Sequence, residues 1–290
     1  MQIDWDKWIA DGGEDEHKPL RQAVHIVLIS ISKCESLKNH MMLKGGMLMA
    51  LCYDSSRYTR DIDFSQAQRY KQGDEGALVG ELEMAMRETV EEVDYGLDCR
   101  AQSKELKPPS KKNPTFPTLN VKIGYAYKHD LPNHKRLIRG NAIKVLELDF
   151  SFNETTKSAE EFNISEGRTL LRYSLVDLVA EKFRALLQQV ERNRYRRQDI
   201  YDLFYLIKKV SGELEGIKLE ILQALIESAL SKDLNIGADS MSDEQTRQRT
   251  KYEYDQLKSE VTAGSLPDFE VAYEVVKRFY ESLPWGKLKV

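Results

Sequence analysis

Hydrophobic positions along this chain follow two kinds of pattern, and the change between them divides the sequence. Residues 20–34 (LRQAVHIVLISISKC) are apolar on nearly every side of a helical wheel, which predicts a buried helix. A short helix is expected to start near Gly46 (GMLMALCY), and residues 75–94 read as a more polar helix. Three runs look like strands: 58–64, 118–127 (TLNVKIGYAY) and 142–152 (AIKVLELDFSF). In the last of these, Lys144, Leu146, Leu148, Phe150 and Phe152 share one face, leaving Val145, Glu147, Asp149 and Ser151 on the other. After residue 163 the signals are helical: 174–190, 199–210, 217–230, 246–260 and 269–283. Ser174 with Asp177 three residues on approximates a capping box for the first. The expectation is an α+β chain, with an α/β domain and N-terminal helices over residues 1–160 and a helical domain over 161–290. The polar segment 153–167 reads as the linker.

Composition narrows the class. The chain has 290 residues, 41% hydrophobic and 31% charged, as a soluble globular protein does, which excludes a disordered or collagen-like polymer. No apolar run approaches the ~18–20 residues of a membrane span, and the acidic start lacks the apolar core of a leader. A cytoplasmic location with no membrane partner is the expectation, and the scattered Cys34, Cys52 and Cys99 fit a reducing compartment.

The net charge of -4 speaks against a nucleic-acid partner, but it conceals a local segregation. Residues 74–94 hold eight acids and one base, whereas residues 100–140 hold ten bases and two acids. The basic stretch is either a solvated loop surface or, with Phe116, Tyr125, Tyr127, His129 and His134 interleaved, a surface for RNA or a nucleotide.

Candidate chemistry concentrates in residues 44–64, KGGMLMALCYDSSRYTRDIDF. Gly45-Gly46 before a helix start is either a simple turn or a phosphate site made of free backbone N–H groups and a helix dipole. On a strand, Asp61 and Asp63 project to one face while Ile62 and Phe64 enter the core. Neighbouring carboxylates repel, so they are either solvated at a strand end or compensated by a hard cation, Mg²⁺ or Mn²⁺. If the strand extends backwards, Arg57 and Thr59 join the same face. Asp149, or less readily Glu147, would supply a third carboxylate for a two-metal phosphoryl-transfer site.

Lys44-Gly45-Gly46, Arg57-Tyr58-Thr59-Arg60-Asp61-Ile62-Asp63-Phe64, the helix SLVDLVAEKFRALL and Arg197-Gln198-Asp199-Ile200-Tyr201-Asp202-Leu203 together resemble the AbiEii/AbiGii family. These are nucleotidyltransferase toxins of type IV toxin–antitoxin, abortive-infection systems that defend against phage. The resemblance implies a polymerase-β-like mixed-sheet domain followed by a helical domain. It also implies transfer of a nucleoside monophosphate from an NTP, with Mg²⁺, to an acceptor such as the 3′ end of tRNA, and a cognate antitoxin. Carried over by position, Lys44, Gly45 and Gly46 match the phosphate turn, with Arg57 and Thr59 beside it, and Asp61 and Asp63 match the metal pair. Lys182 matches a lysine expected to meet the triphosphate, and Asp199 an acidic residue that acts as base or orients Lys182. Gln198 departs from the common form by separating Arg197 from Asp199, which loosens the assignment of Arg197 to nucleotide binding. Arg192, Arg194, Arg196 and Arg197 bunch before that helix, either as solvated turn charges or as a second phosphate contact.

A metal-dependent nuclease using the same carboxylates and a non-catalytic RNA- or antitoxin-binding module are the other classes these residues allow. No P-loop, His-Glu-x-x-His, Cys-x-x-Cys or Gly-x-Ser-x-Gly pattern occurs. His25 is expected to be a core residue, with the other four histidines exposed.

Overall fold

A computed structural model describes residues 3–12, 17–71, 73–108, 115–154, 156, 158–261 and 266–287. The chain forms two compact units, and neither is one continuous stretch. The first comprises Met1–Leu48, Thr59–Thr155 and Ala159–Arg172; the second comprises Met49–Tyr58, Thr156–Ser158 and Tyr173–Val290.

The first unit is built on a seven-stranded mixed sheet in the order β3-β4-β5-β2-β1-β7-β6. Its strands are β1 (Met42–Lys44), β2 (Asp61–Ser65), β3 (Leu97–Lys107), β4 (Thr118–Tyr127), β5 (Val145–Ser151), β6 (Ala159–Ser165) and β7 (Arg168–Tyr173). Pairing is parallel for β2 with β5 and β1 with β7, and antiparallel for β1 with β2 and along β3, β4 and β5. The helices are α1 (Trp5–Ala10), α2 (Lys18–Lys33), α3 (Glu35–Lys38), α4 (Gly45–Cys52), α5 (Glu75–Glu92) and α6 (Leu131–Ile138). The chain passes into the second unit within α4, at Met49.

The apolar α2 is the centre of this unit, as its pattern requires. It packs against α1, α3, α5 and strands β3 to β6, burying Leu20, Val24, Val27, Leu28 and Ile31. Against it the sheet presents its alternating apolar positions. Ile62, Phe64, Val121, Ile123, Leu146, Leu148 and Phe150 are all fully buried, and the residues between them form the polar face. His25 is a core residue as expected. It stacks on Trp5 with centroids 4.0 Å apart, its Nδ1 is 2.7 Å from the Tyr95 hydroxyl, and burial lowers its pKa to about 4. His134, by contrast, is half-buried, with Nε2 2.8 Å from Asp98 Oδ2.

The second unit is helical: α7 (Leu175–Gln188), α8 (Arg197–Lys209), α9 (Ser211–Gly216), α10 (Lys218–Leu230), α11 (Glu244–Lys251) and α12 (Phe269–Glu281). Ser174 caps α7, its Oγ accepting from the Asp177 N–H at 3.1 Å. The amphipathic α12 buries Phe269, Ala272, Tyr273, Val276 and Tyr280, and Phe183 of α7 stacks on Phe279. Among the described residues no helix is long and apolar enough to cross a membrane.

Several expected elements differ. The segment 153–167 contains β6 and ends just before β7, rather than being a plain linker. Only Phe162 and Ile164 turn inward in β6, so the period of two is too weak to stand out. The basic stretch contains β3, β4 and α6; a bulge between Ala101 and Ser103 and the exposed far half of β3 hide its alternation. Lys111 and Lys112 lie outside the described residues. The helix expected over 246–260 breaks after Lys251, where Glu253 takes a left-handed φ of 55°, and continues as a 3₁₀ turn at Tyr254–Ser259. The strand expected over 58–64 begins only at Asp61, because Tyr58 instead donates its N–H to the Glu260 carbonyl.

Candidate active site

Two clusters of charged side chains stand out, one in each unit. In the first unit, sheet register assembles the acidic face. Asp63 pairs with Lys44 on one side and with Asp149 on the other, while Asp61 pairs with Glu147. On β4, Asn120 lies opposite Asp149 and Lys122 opposite Glu147. Directly paired residues in a ladder share a face. One row therefore runs Lys44, Asp63, Asp149, Asn120 and the next runs Asp61, Glu147, Lys122.

Within these rows, the Asn120 amide donates to both Asp149 Oδ1 at 2.6 Å and Glu147 Oε2 at 3.0 Å. Glu147 also lies 3.9 Å from Lys122 Nζ. Asn120 is buried, and sequence reasoning did not single it out, although its position between Leu119 and Val121 places it on the polar side of β4.

The turn from β1 into α4 closes over Asp63. Gly45 has φ of +69°, and a Cβ built there would lie 2.4 Å from Asp63 Oδ2. A glycine is required on both counts, conformation and space. The Asp63 carboxylate thus packs directly against the Gly45 backbone at the start of a helix. Thr59 precedes the strand, and its Oγ1 accepts from the Asp61 N–H at 3.3 Å.

Among the described residues, no three His, Cys, Asp or Glu side chains converge as a ready metal-binding group. Asp61, Asp63 and Asp149 are neighbours in the sheet instead. Their all-oxygen donor set and the glycine cradle against Asp63 suit a hard divalent cation.

In the second unit, helical spacing builds a buried ion cluster. Asp199 and Asp202 are three apart on α8 and share a face. Lys182 of α7 donates to Asp202 Oδ2 at 2.6 Å and to Asp199 Oδ1 at 3.2 Å. Arg57 binds Asp202 in a two-pronged pair, Nε to Oδ1 and Nη2 to Oδ2, both 3.0 Å, and reaches Glu260 at 3.6 Å. Asp202 is fully buried and Lys182 nearly so.

The charges sustain one another. Burial alone would push the Asp202 carboxyl up, but Arg57 and Lys182 outweigh it and hold it at about 2. Burial would likewise push the Lys182 ammonium down, yet Asp202 and Asp199 keep it above its usual value. Arg57 therefore does not extend the β2 face as the parity argument expected, since β2 starts after it and its guanidinium is committed to Asp202. Arg197 pairs with Glu253 at 3.4 Å and Glu260 at 3.8 Å. The role of Asp202 has no local sequence signal, since its partner Arg57 lies 145 positions away.

The fold is that of nucleotidyltransferases. A crystal structure of a candidate nucleotidyltransferase from H. pylori is similar over 93% of this chain and 96% of its own, with a TM-score of 0.53 and 16% identity. MenT4, a nucleotidyltransferase toxin from Mycobacterium tuberculosis H37Rv, is similar over 99% of this chain and 91% of its own, with a TM-score of 0.51 and 13% identity. No curated protein matches the chain. The family is defined by the sequence itself: the model of the nucleotidyl transferase AbiEii toxin family, type IV toxin–antitoxin system, matches residues 28–275. The chain belongs to that family.

One consequence concerns Gly45. Gly45→Ala is expected to cost about 1–2 kcal/mol of stability, the penalty for a side chain in the left-handed region. It should also displace the Asp63 carboxylate; if that carboxylate serves the transfer reaction, a misplacement of about 1 Å costs about a hundred-fold in rate. Urea unfolding and nucleotidyl transfer measured on one preparation check both, and wild-type values in each would refute the close packing.

Proposed function

We propose that this protein transfers a nucleoside monophosphate from an NTP to an RNA acceptor, the 3′ end of tRNA being the acceptor class. In this reading it acts in the cytoplasm as a toxin in phage defence, restrained by a cognate antitoxin. The observation that carries the reading is the packing of Asp63 between the Gly45 turn and Asp149. It places carboxylates beside backbone N–H groups at a helix start, where a nucleotide's phosphates would be held.

Asp61, Asp63 and Asp149 would hold Mg²⁺ or Mn²⁺, which when bound supplies charge neutralisation at the transferring phosphate. Asp149 is favoured over Glu147 as the third carboxylate, because its register partner Asp63 is the aspartate packed against the Gly45 turn, whereas Glu147 pairs with Asp61 and is drawn toward Lys122. Gly45 and Gly46 offer their N–H groups to the phosphates, with Lys44 at the adjoining strand end and Thr59 ahead of Asp61. In the second unit Lys182 is the candidate phosphate contact, oriented by Asp199, and Arg57 and Arg197 support it through their carboxylate partners. The β3–β4 hairpin, with Lys104, Lys107 and Lys122 along it, is the candidate surface for RNA backbone. Arg100 and Lys128 contribute less charge there, being paired with Asp98 and Glu91, and Lys122 is partly offset by Glu147 3.9 Å away.

The test is to incubate the protein with total RNA and each labelled NTP in turn, with and without Mg²⁺. Metal-dependent incorporation of label into RNA from at least one NTP is expected. RNA loss without any NTP, and no labelling by any of them, would replace transfer with nuclease chemistry.

A further inference from the structure

The arginine-rich turn before α8 is not absorbed by the site described above, and the structure sets aromatic rings beside it. Tyr195 lies in that turn, and Tyr252 follows the last residue of α11. Their rings stack with centroids 4.4 Å apart and planes 26° from parallel. Both are about half exposed, at 48% and 50%, so the pair shows ring surface to solvent instead of serving the core. The Arg249 guanidinium sits 5.7 Å from the Tyr195 ring centre.

Positive charge gathers around these rings. Arg196 lies 3.8 Å from Asp199, and Arg197 is engaged with Glu253 and Glu260. Arg192 and Arg194 make no ion pair with a described residue. The Arg194 guanidinium is disfavoured first by its partial burial and then by Arg196 and Arg192. Two acids lie beside this turn in the chain: Glu191, just before Arg192, and Glu253, next to Tyr252, whose carboxylate is held by Arg197. Like charges collected in one turn beside exposed stacked rings are costly in the free protein. An anion with an aromatic face relieves both costs.

We propose that Tyr195, Tyr252, Arg192, Arg194 and Arg249 form a platform for an unpaired nucleotide of an RNA strand, the rings stacking on its base and the guanidiniums holding flanking phosphates. Stacking on a π-face tolerates any base, and a guanidinium suits a phosphate's two oxygens. Paired bases inside a duplex have no free face, so a duplex lacks the stacking contact. The proposal rests on the reading above only in taking RNA as the acceptor, and it concerns binding alone.

The experiment measures fluorescence anisotropy of a labelled single-stranded RNA about 10 nucleotides long, with the full chain. The same strand annealed to its complement and free ATP as competitor form the other arms. Tyr195→Ala and Tyr252→Ala should each weaken single-strand binding about ten-fold or more. Tyr195→Phe, which keeps the ring, should bind as wild type. Replacing Arg192 and Arg194 by alanine together should flatten the dependence of log affinity on log salt by about 1.4. Thermal unfolding shows whether each variant is folded, and Tyr195→Phe against Tyr195→Leu separates stacking from bulk.

Wild-type affinity in both alanine variants, or in Tyr195→Leu, overturns the platform. Displacement by ATP as readily as by unlabelled RNA assigns the rings to a free nucleotide and overturns the strand. If Asp63→Asn retains transfer while the tyrosine variants lose RNA, the carboxylate assignment falls and the platform stands. The reverse pattern separates the two in the other direction.

Discussion

Asp63→Asn is expected to reduce nucleotidyl transfer by about a thousand-fold or more while the protein stays folded. The substitution keeps the shape of the side chain and removes its charge. In the proposed reading, what is lost is one of the carboxylates that would hold a divalent ion, an effect of several kcal/mol on the barrier. Stability should change little, because Asp63 sits on the polar face of β2, whose core contacts come from Ile62 and Phe64. Asp61→Asn should act in the same direction, and Asp149→Asn should resemble both more closely than Glu147→Gln does. Initial rates of label transfer, read beside thermal unfolding, decide the matter. Full activity in both the Asp61 and Asp63 variants would remove the metal assignment.

The second large effect is on folding. Asp202→Ala leaves Arg57 and Lys182 buried with, among the described residues, Asp199 and Glu260 as the remaining acids near them. Breaking a buried charge cluster in this way costs about 3–5 kcal/mol. The pH dependence has a definite sign. The Asp202 carboxyl lies below its ordinary value in the folded protein, so its contribution is fully present above about pH 4. It is lost as the pH falls toward about 2. Urea midpoints measured between pH 7 and pH 3 should fall more steeply for the wild type than for Asp202→Asn. Equal slopes would show that the carboxylate is not stabilised by its cations.

How much of this was readable beforehand depends on how local each signal is. The pairing of Asp61 with Asp63, and the inward run Leu146, Leu148 and Phe150, follow from a period of two within a few residues, and both appear in the sheet. The α+β fold class and the helices α2, α7, α8, α10 and α12 were legible for the same reason, with strong apolar periodicity. β1 was not, because three wholly buried residues carry no period. β3 and β6 were hidden by charged exposed positions. In the candidate site, Asp63 and Gly45 were legible, whereas Asn120 was not, since its meaning comes from a cross-strand register with β5. The ion cluster illustrates the limit most clearly. Arg57 and Asp202 both lie in stretches that drew attention, yet their pairing spans 145 positions and no local spacing encodes it.

That separation also sets a timetable. Ribosomes add about 5–20 residues per second, so the 145 residues between Arg57 and Asp202 take roughly 7–30 s to make. Strands β2 to β7 and all three acidic residues, Asp61, Asp63 and Asp149, are made within that interval, and β1 is made before it. The segment Met49–Tyr58 meanwhile waits for helices still unsynthesised. During translation the acidic face can therefore be assembled before Arg57 has its partner Asp202. A growing chain therefore carries Met49–Tyr58 without its helical partners while most of the sheet is made, and only the last stage of synthesis, which completes the helical unit, supplies them.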